Sequence, residues 1–163
     1  MLAMKKSHKL FFQESGTVFG QRVPQSPPNL GFPIHYTGHL HDDLSLRALY
    51  SAADAIVVPS RQEAFGQTAS EAHAGATPVI AFHTGGLRDI VEHQRTGYLA
   101  KAFDTEDLAE GIAWVLAQRA TGQSGGLLSQ QACERAEARF AAPLVAAQYR
   151  AVYEQIFSSA QST

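Results

Sequence analysis

The amino-acid sequence predicts an α/β protein built on a doubly wound parallel sheet. Three features carry that expectation. Two short runs without a polar residue, Ala55-Ile56-Val57-Val58 and Val79-Ile80-Ala81-Phe82, have the length and composition of strands buried on both faces of a parallel sheet. Stretches with helical spacing lie before, between and after them. Proline and glycine fall at the joints: Pro59 closes the first run, Gly75 and Pro78 precede the second, and Gly85-Gly86 follow it.

Each element follows from local pattern. Leu10 to Gln13 reads as a short strand, and Gly16 to Gly31, with Pro24, Pro27 and Pro28, reads as loop. Ile34 to Thr37 reads as a strand that ends in a turn at Gly38. Asp42 and Asp43 stand before Leu44, Leu46, Leu49, Tyr50 and Ala53, as in a helix with acids at its positive end. After the first apolar run, Thr68 to Ala74 forms an alanine-rich helix stopped by Gly75. Leu87 to Val91 is a short helix and Gly97 to Ala100 a third short strand. Asp104 caps a helix to about Gln118, with Glu106 and Asp107 in its first turn. Gly122 to Gly126 reads as a flexible break, followed by helices over about Leu127 to Phe140 and, with Pro143 in its first turn, Pro143 to Phe157. Such an alternation is Rossmann-like, and it places ligand-binding loops at the carboxyl ends of the strands, here after Tyr36, Val58 and Phe82.

Size and composition bound the function. A chain of 163 residues fits one domain, with the helices from 127 to 163 as its C-terminal part. A net charge of -2 supplies no field to recruit nucleic acid or an anionic membrane surface. The single cysteine, Cys133, rules out an internal disulfide and suits a cytoplasmic protein. No apolar run approaches the roughly 20 residues of a spanning helix. The basic stretch from Met1 to Lys9 is followed only by Leu10-Phe11-Phe12, too short for the apolar part of a signal peptide, so the beginning reads as a start inside a longer frame.

The loop after Val58 carries the chemistry. Its residues are Pro59-Ser60-Arg61-Gln62-Glu63-Ala64-Phe65-Gly66, and a helix starts at Gln67-Thr68. Gly66 allows a tight turn, and the first amides of a helix have no partner within it, which makes them an anion site. A diphosphate would rest on the amides of Gln67 and Thr68. Glu71, further into that helix, would accept bonds from two neighbouring ribose hydroxyls, as acidic residues do in dinucleotide folds. Glu63 would face outward to a sugar hydroxyl through a charge-assisted bond. The plain alternative is that two glutamates eight apart are surface residues.

Glu63-Ala64-Phe65-Gly66 through Glu71 resembles the Glu-x7-Glu motif of retaining GT-B glycosyltransferases of family 4, also called group 1. Leu49-Tyr50-Ser51-Ala52-Ala53-Asp54 is similar to that family's Tyr-x-x-Ala-Asp helix end, and Val57-Val58-Pro59-Ser60 to the strand after it. Thr77-Pro78-Val79-Ile80-Ala81, Gly85-Gly86-Leu87-Arg88-Asp89-Ile90-Val91, Gly97-Tyr98-Leu99 and Asp107-Leu108-Ala109 continue the likeness, which covers about Ile34 to Leu116. The resemblance implies the donor-binding C-terminal half of a GT-B fold. Such a half binds a UDP- or GDP-sugar for transfer with retention to a glycan or lipid acceptor, without a metal or other cofactor. It implies that Glu63, the candidate catalytic residue, meets the donor sugar near its 3-hydroxyl. The backbone of Ala64, Phe65 and Gly66 then meets sugar hydroxyls, Gln67 and Thr68 lie near the diphosphate, and Glu71 binds the ribose. The resemblance further implies a place in polysaccharide or glycolipid synthesis, and a cytoplasmic full enzyme peripheral to the inner membrane.

Departures qualify the resemblance. The family usually has Gly in place of Ala64, and Met-Ala-x-Gly where this chain has His73-Ala74-Gly75-Ala76, which shifts the helix-ending glycine by one. The opening strand-helix unit, with an Arg and a Lys for the diphosphate, is expected to be missing, as is the acceptor domain. This chain is therefore expected to be inactive by itself. Arg61 and Arg88 are the cations near the motif, as phosphate contacts or as surface residues. His35, His39 and His41 fit no familiar metal spacing. His83 either touches the ligand or is a solvated loop residue, and Gly85-Gly86 either admit the ligand or form a turn. Phe140, Leu144, Tyr149, Tyr153 and Phe157 read as packing residues, with an exposed apolar face able to drive self-association. The competing readings are a non-catalytic nucleotide-binding module or gene remnant, and another GT-B enzyme such as a sugar epimerase.

Overall fold

The computed structural model describes residues 1–6, 14–120 and 123–160. Six strands, β1 (Leu2–Lys6), β2 (Glu14–Phe19), β3 (Ile34–Gly38), β4 (Ala55–Val58), β5 (Val79–Phe82) and β6 (Gly97–Ala100), form one sheet in the order β3-β2-β1-β4-β5-β6. The helices are α1 (Asp43–Ala52), α2 (Gln67–Ala74), α3 (Leu87–Ile90), α4 (Thr105–Ala120), α5 (Gln123–Phe140) and α6 (Ala142–Ala160). The expected doubly wound α/β sheet is present, and its strand order is that of dinucleotide-binding folds.

β4 shows why the apolar runs are strands. All four of its residues are buried, and they alternate between two cores. Ile56 and Val58 pack with Val79, Ala81, Ala69, Ala72, Leu87 and Ile90 on the face covered by α1, α2 and α3. Ala55 and Val57 pack with Ile80, Phe82, Leu108 and Val115 on the face covered by α4. The helices start where the sequence places them. Asp42 accepts from the Ser45 amide at 2.8 Å, and Asp104 accepts from the amides of Glu106 and Asp107 at 3.1 and 3.0 Å.

Three local expectations need correction. The stretch from Gly16 begins as strand rather than loop, because Val18 and Phe19 bury their side chains and Gly16 leaves room where a Cβ would come 2.9 Å from Leu2 Cδ1. β1 runs antiparallel to both β2 and β4, so the sheet is not wholly parallel. Only residues 7–13 join β1 to β2, and a parallel pair needs a crossover of a dozen or more residues. The Gly122 to Gly126 break is shorter than expected, since α5 already begins at Gln123. Leu128, Ala132 and Ala136, one helical face four residues apart, are buried and hold α5 in place, which outweighs the poor helix propensity of glycine near its start. The strand expected over Leu10 to Gln13 lies outside the described residues.

The shifted glycine resolves at the end of α2. Thr77 N–H donates to Ala72 O and Ala76 N–H donates to His73 O, both at 2.9 Å, which is a Schellman turn after Gly75. The left-handed position falls on Ala76, with φ 57°, rather than on the glycine beside it. Ala76→Gly is therefore expected to stabilise the fold by about 1 kcal/mol, since a Cβ in this conformation costs roughly 1–2 kcal/mol. A urea unfolding midpoint that does not rise contradicts this.

His73, where the resembling family usually has Met, is fully buried. Its Nε2 donates to Thr96 O at 3.1 Å, and Nδ1 has no partner among the described residues. Burial, opposed by the Thr96 bond and aided by the Arg135 charge, lowers its pKa to about 4. The unfolded chain thus takes up a proton near pH 6.5 that the folded chain refuses until about pH 4. Stability contributed by neutral His73 is complete above pH 6.5 and falls by about 3 kcal/mol as pH drops to 4. Unfolding titrations at several pH values check this: His73→Leu should flatten the slope between pH 6.5 and 4. The lowered carboxyls of Asp42 and Asp107 act only below their ordinary range, outside that window.

Candidate functional site

The carboxyl ends of β4 and β5 bring two loops together. Residues 59–66 lead from β4 into α2, and residues 83–86 lead from β5 into α3. Gly86 N–H donates to Glu63 O at 3.0 Å, and the Thr84 hydroxyl reaches Ser60 O at 3.5 Å. A Cβ on Gly85 would come 2.0 Å from Glu63 O, and one on Gly86 would come 2.3 Å from Phe65 O and 2.6 Å from Ala64 O. Gly85-Gly86 form the turn before α3, and they are also the bed on which the Glu63–Phe65 backbone lies.

Gly66 turns the chain into α2 with φ 96°, and a Cβ there would press on Ile90 Cδ1 at 2.9 Å. Its carbonyl accepts from the amides of Ala69 and Ser70, at 2.9 and 3.1 Å. The amides of Gln67 and Thr68 have no partner among the described residues, and no side chain caps the helix. This differs from α1 and α4, where Asp42 and Asp104 fill that place.

Glu71 lies one turn in, half-buried, and its carboxylate is fixed on both sides. Gln67 Nε2 donates to Oε1 at 2.9 Å, and Tyr50 Oη on α1 donates to Oε2 at 3.0 Å. Beneath it, between α1 and α2, a cavity of about 510 Å³ is bordered by Asp43, Leu46, Arg47, Tyr50, Glu71 and Gly75. Glu63 is half-buried beside Gly66, and its carboxylate makes no hydrogen bond to another described residue. Ala64 and Phe65 are exposed, and the Phe65 ring meets Phe140 edge-on at 5.5 Å.

The remaining candidates are placed as follows. Arg61 lies over the Phe103 ring at 4.8 Å, and Arg88 Nε donates to Gly85 O at 3.2 Å, so both cations stay at the ligand end with partners of their own. His83 is exposed after β5, its amide bonded to Ala100 O at 2.7 Å. His39 and His41 stack at 6.1 Å, and no three potential metal ligands cluster among the described residues. In the sequence Tyr50 stands out only as part of a helix end. Its partner stands 21 residues away across a strand and a loop, so helical spacing gave no sign of it.

A larger cavity, about 1170 Å³, lies away from the Glu71 carboxylate, between Phe65 and the start of α6. α6 itself leaves an apolar face in the open, with Tyr149 63% and Phe157 67% exposed. No described helix is long and apolar enough to cross a membrane.

Comparison with known proteins identifies the family and the fold. Residues 29–134 match the family described as Glycosyl transferases group 1, more than half of the chain, and the protein belongs to that family. D-inositol 3-phosphate glycosyltransferase of Mycobacteroides abscessus is 46% identical over 79 residues, covering 48% of this chain and 18% of that protein. Sulfoquinovosyl transferase SQD2 of Arabidopsis thaliana is 32% identical over 114 residues, 68% of this chain and 22% of that protein. Among solved structures, sucrose-phosphate synthase from Thermosynechococcus elongatus superposes with a TM-score of 0.75 at 34% identity, over 88% of this chain and 38% of that one. HepE of Anabaena, in complex with UDP-glucose, superposes at 0.64 with 23% identity, over 75% of this chain and 32% of that one, a likeness of fold. The chain spans about a fifth of the length of the curated relatives it matches.

Proposed function

We propose that this chain is the donor half of a group 1 glycosyltransferase, binding a nucleoside-diphosphate sugar for retaining transfer to a glycan or lipid acceptor without a metal. The observation that carries the reading is the start of α2. A helix with free amides at Gln67 and Thr68 and no side-chain cap is an anion site, and a fixed carboxylate stands one turn inside it. The diphosphate rests on those amides, the ribose hydroxyls meet Glu71, and the sugar lies against Ala64, Phe65 and Gly66 with Glu63 at its hydroxyls. The HepE complex with UDP-glucose, a structure of the same fold, supports a uridine nucleotide as first probe, with GDP as the other.

Transfer also needs an acceptor site and cations to balance the leaving diphosphate. With Arg61 and Arg88 engaged locally, we expect binding without turnover from these residues alone. The open face of α6 supports association there with an acceptor domain or a second copy. Calorimetric titration of the purified chain with UDP, GDP and a UDP-sugar tests the proposal. Saturable binding of one of these, in the absence of any divalent ion, is expected. No binding of any of them would leave the non-catalytic remnant as the better reading.

A further inference from the structure

We propose that Tyr50 is the positioning residue that makes Glu71 a selective acceptor for a ribose diol, an inference that rests on Glu71 meeting the ribose. A carboxylate offers about four lone-pair sites, two on each oxygen. Gln67 Nε2 occupies one on Oε1, and Tyr50 Oη occupies one on Oε2. Each oxygen keeps one acceptor direction, on the side away from its protein donor. Two neighbouring hydroxyls, one per oxygen, complete that set, whereas a single hydroxyl leaves one oxygen short.

Tyr50 is built to hold still. It is 3% exposed, and its ring meets Phe19 edge-on at 5.9 Å and 79°. Its carbonyl accepts from the Thr77 hydroxyl at 2.6 Å, and Gly75 lets its Cβ approach to where a Cβ on residue 75 would be 3.0 Å away. The end of α2 and the turn after it thus close around one tyrosine. Burial, and then the nearby Glu71, push its pKa well up, so the phenol remains a donor throughout the physiological range. A donor already fixed before binding spares the ligand the cost of ordering the carboxylate. A tyrosine serving only the core would gain the same packing from its ring, and its hydroxyl would then be indifferent to the ligand.

The experiment compares the unaltered chain, Tyr50→Phe and Glu71→Gln. Each is titrated with UDP and GDP and with their 2′,3′-dideoxy counterparts, and unfolding is followed alongside. Tyr50→Phe keeps the ring and the Thr77 bond, so it should fold. It is expected to weaken the binding nucleoside diphosphate by about 3- to 10-fold. Its affinity for the dideoxy form should stay unchanged, which a merely structural role would not produce. Equal losses for both ligand forms, or no loss for either, while Glu71→Gln does weaken the ribose form, overturns the role of Tyr50 alone. If Glu71→Gln also leaves the ribose form unaffected, or the unaltered chain binds neither nucleotide, the ribose reading of Glu71 fails and this inference with it.

Discussion

Glu71→Gln is expected to lower affinity for the nucleoside diphosphate by about 10- to 100-fold, because bonds to a charged acceptor contribute roughly 1.5–3 kcal/mol and each 1.4 kcal/mol is tenfold. The substitution keeps shape and removes charge. An amide presents one acceptor oxygen, and its nitrogen would face a donor already in place, Gln67 Nε2 or Tyr50 Oη. One ribose hydroxyl therefore loses its acceptor whichever way the amide turns. The fold should tolerate the change, since Glu71 lies on the open side of α2 and the core face of that helix is Ala69, Ala72 and His73. Calorimetry reads the affinity, and a urea unfolding curve checks that stability moves by less than about 1 kcal/mol. A thermodynamic cycle sharpens the result: Glu71→Gln and removal of the ribose hydroxyls should be strongly non-additive, as groups in contact are. Additive losses would place Glu71 away from the ribose even if its substitution weakened binding.

Parts of this architecture are legible in the sequence and parts are not, for physical reasons. Ala55–Val58 and Val79–Phe82 announce themselves because a strand covered on both faces has no use for polar residues. The site loop is legible because glycine at 66 and small polar residues after it are what a sharp turn into a helix requires. β1 is not legible, since Leu2-Ala3-Met4-Lys5-Lys6 has no β-branched residue and ends in two lysines, and its strand state comes from pairing on both sides with β2 and β4. The same limit hides the partnerships of the site. Nothing local to Tyr50 shows that its hydroxyl meets Glu71, or that Arg61 lies over a phenylalanine 42 residues later. Helical spacing does not mark His73 as buried, and its bond is to Thr96 O, 23 residues later. Local spacing reports faces and turns; side-chain partners across the fold are set by tertiary contacts that a single sequence does not display.

Gly86→Ala tests those tertiary contacts most directly. Gly86 has φ -66° and ψ -14°, a conformation that alanine adopts freely, so backbone strain at residue 86 plays no part. The added methyl would instead stand 2.3 Å from Phe65 O and 2.6 Å from Ala64 O, and neither is the tip of a flexible side chain. The loop has to lift, which breaks the 3.0 Å bond from Gly86 N–H to Glu63 O. Overpacking of this kind costs about 1–3 kcal/mol of stability. Binding should suffer beyond that cost, because the backbone being lifted is the segment proposed to meet the sugar, and it leads through Gly66 to the free amides of α2. Affinity for a nucleotide sugar is expected to fall at least about tenfold, and to fall more than affinity for the bare nucleoside diphosphate. Gly126→Ala, on α5 with open space around it, supplies the control, with binding unchanged and stability unchanged or slightly raised. If Gly86→Ala binds both ligands as tightly as the unaltered chain does, the Glu63–Phe65 backbone lies outside the donor site, and the role assigned to this loop falls.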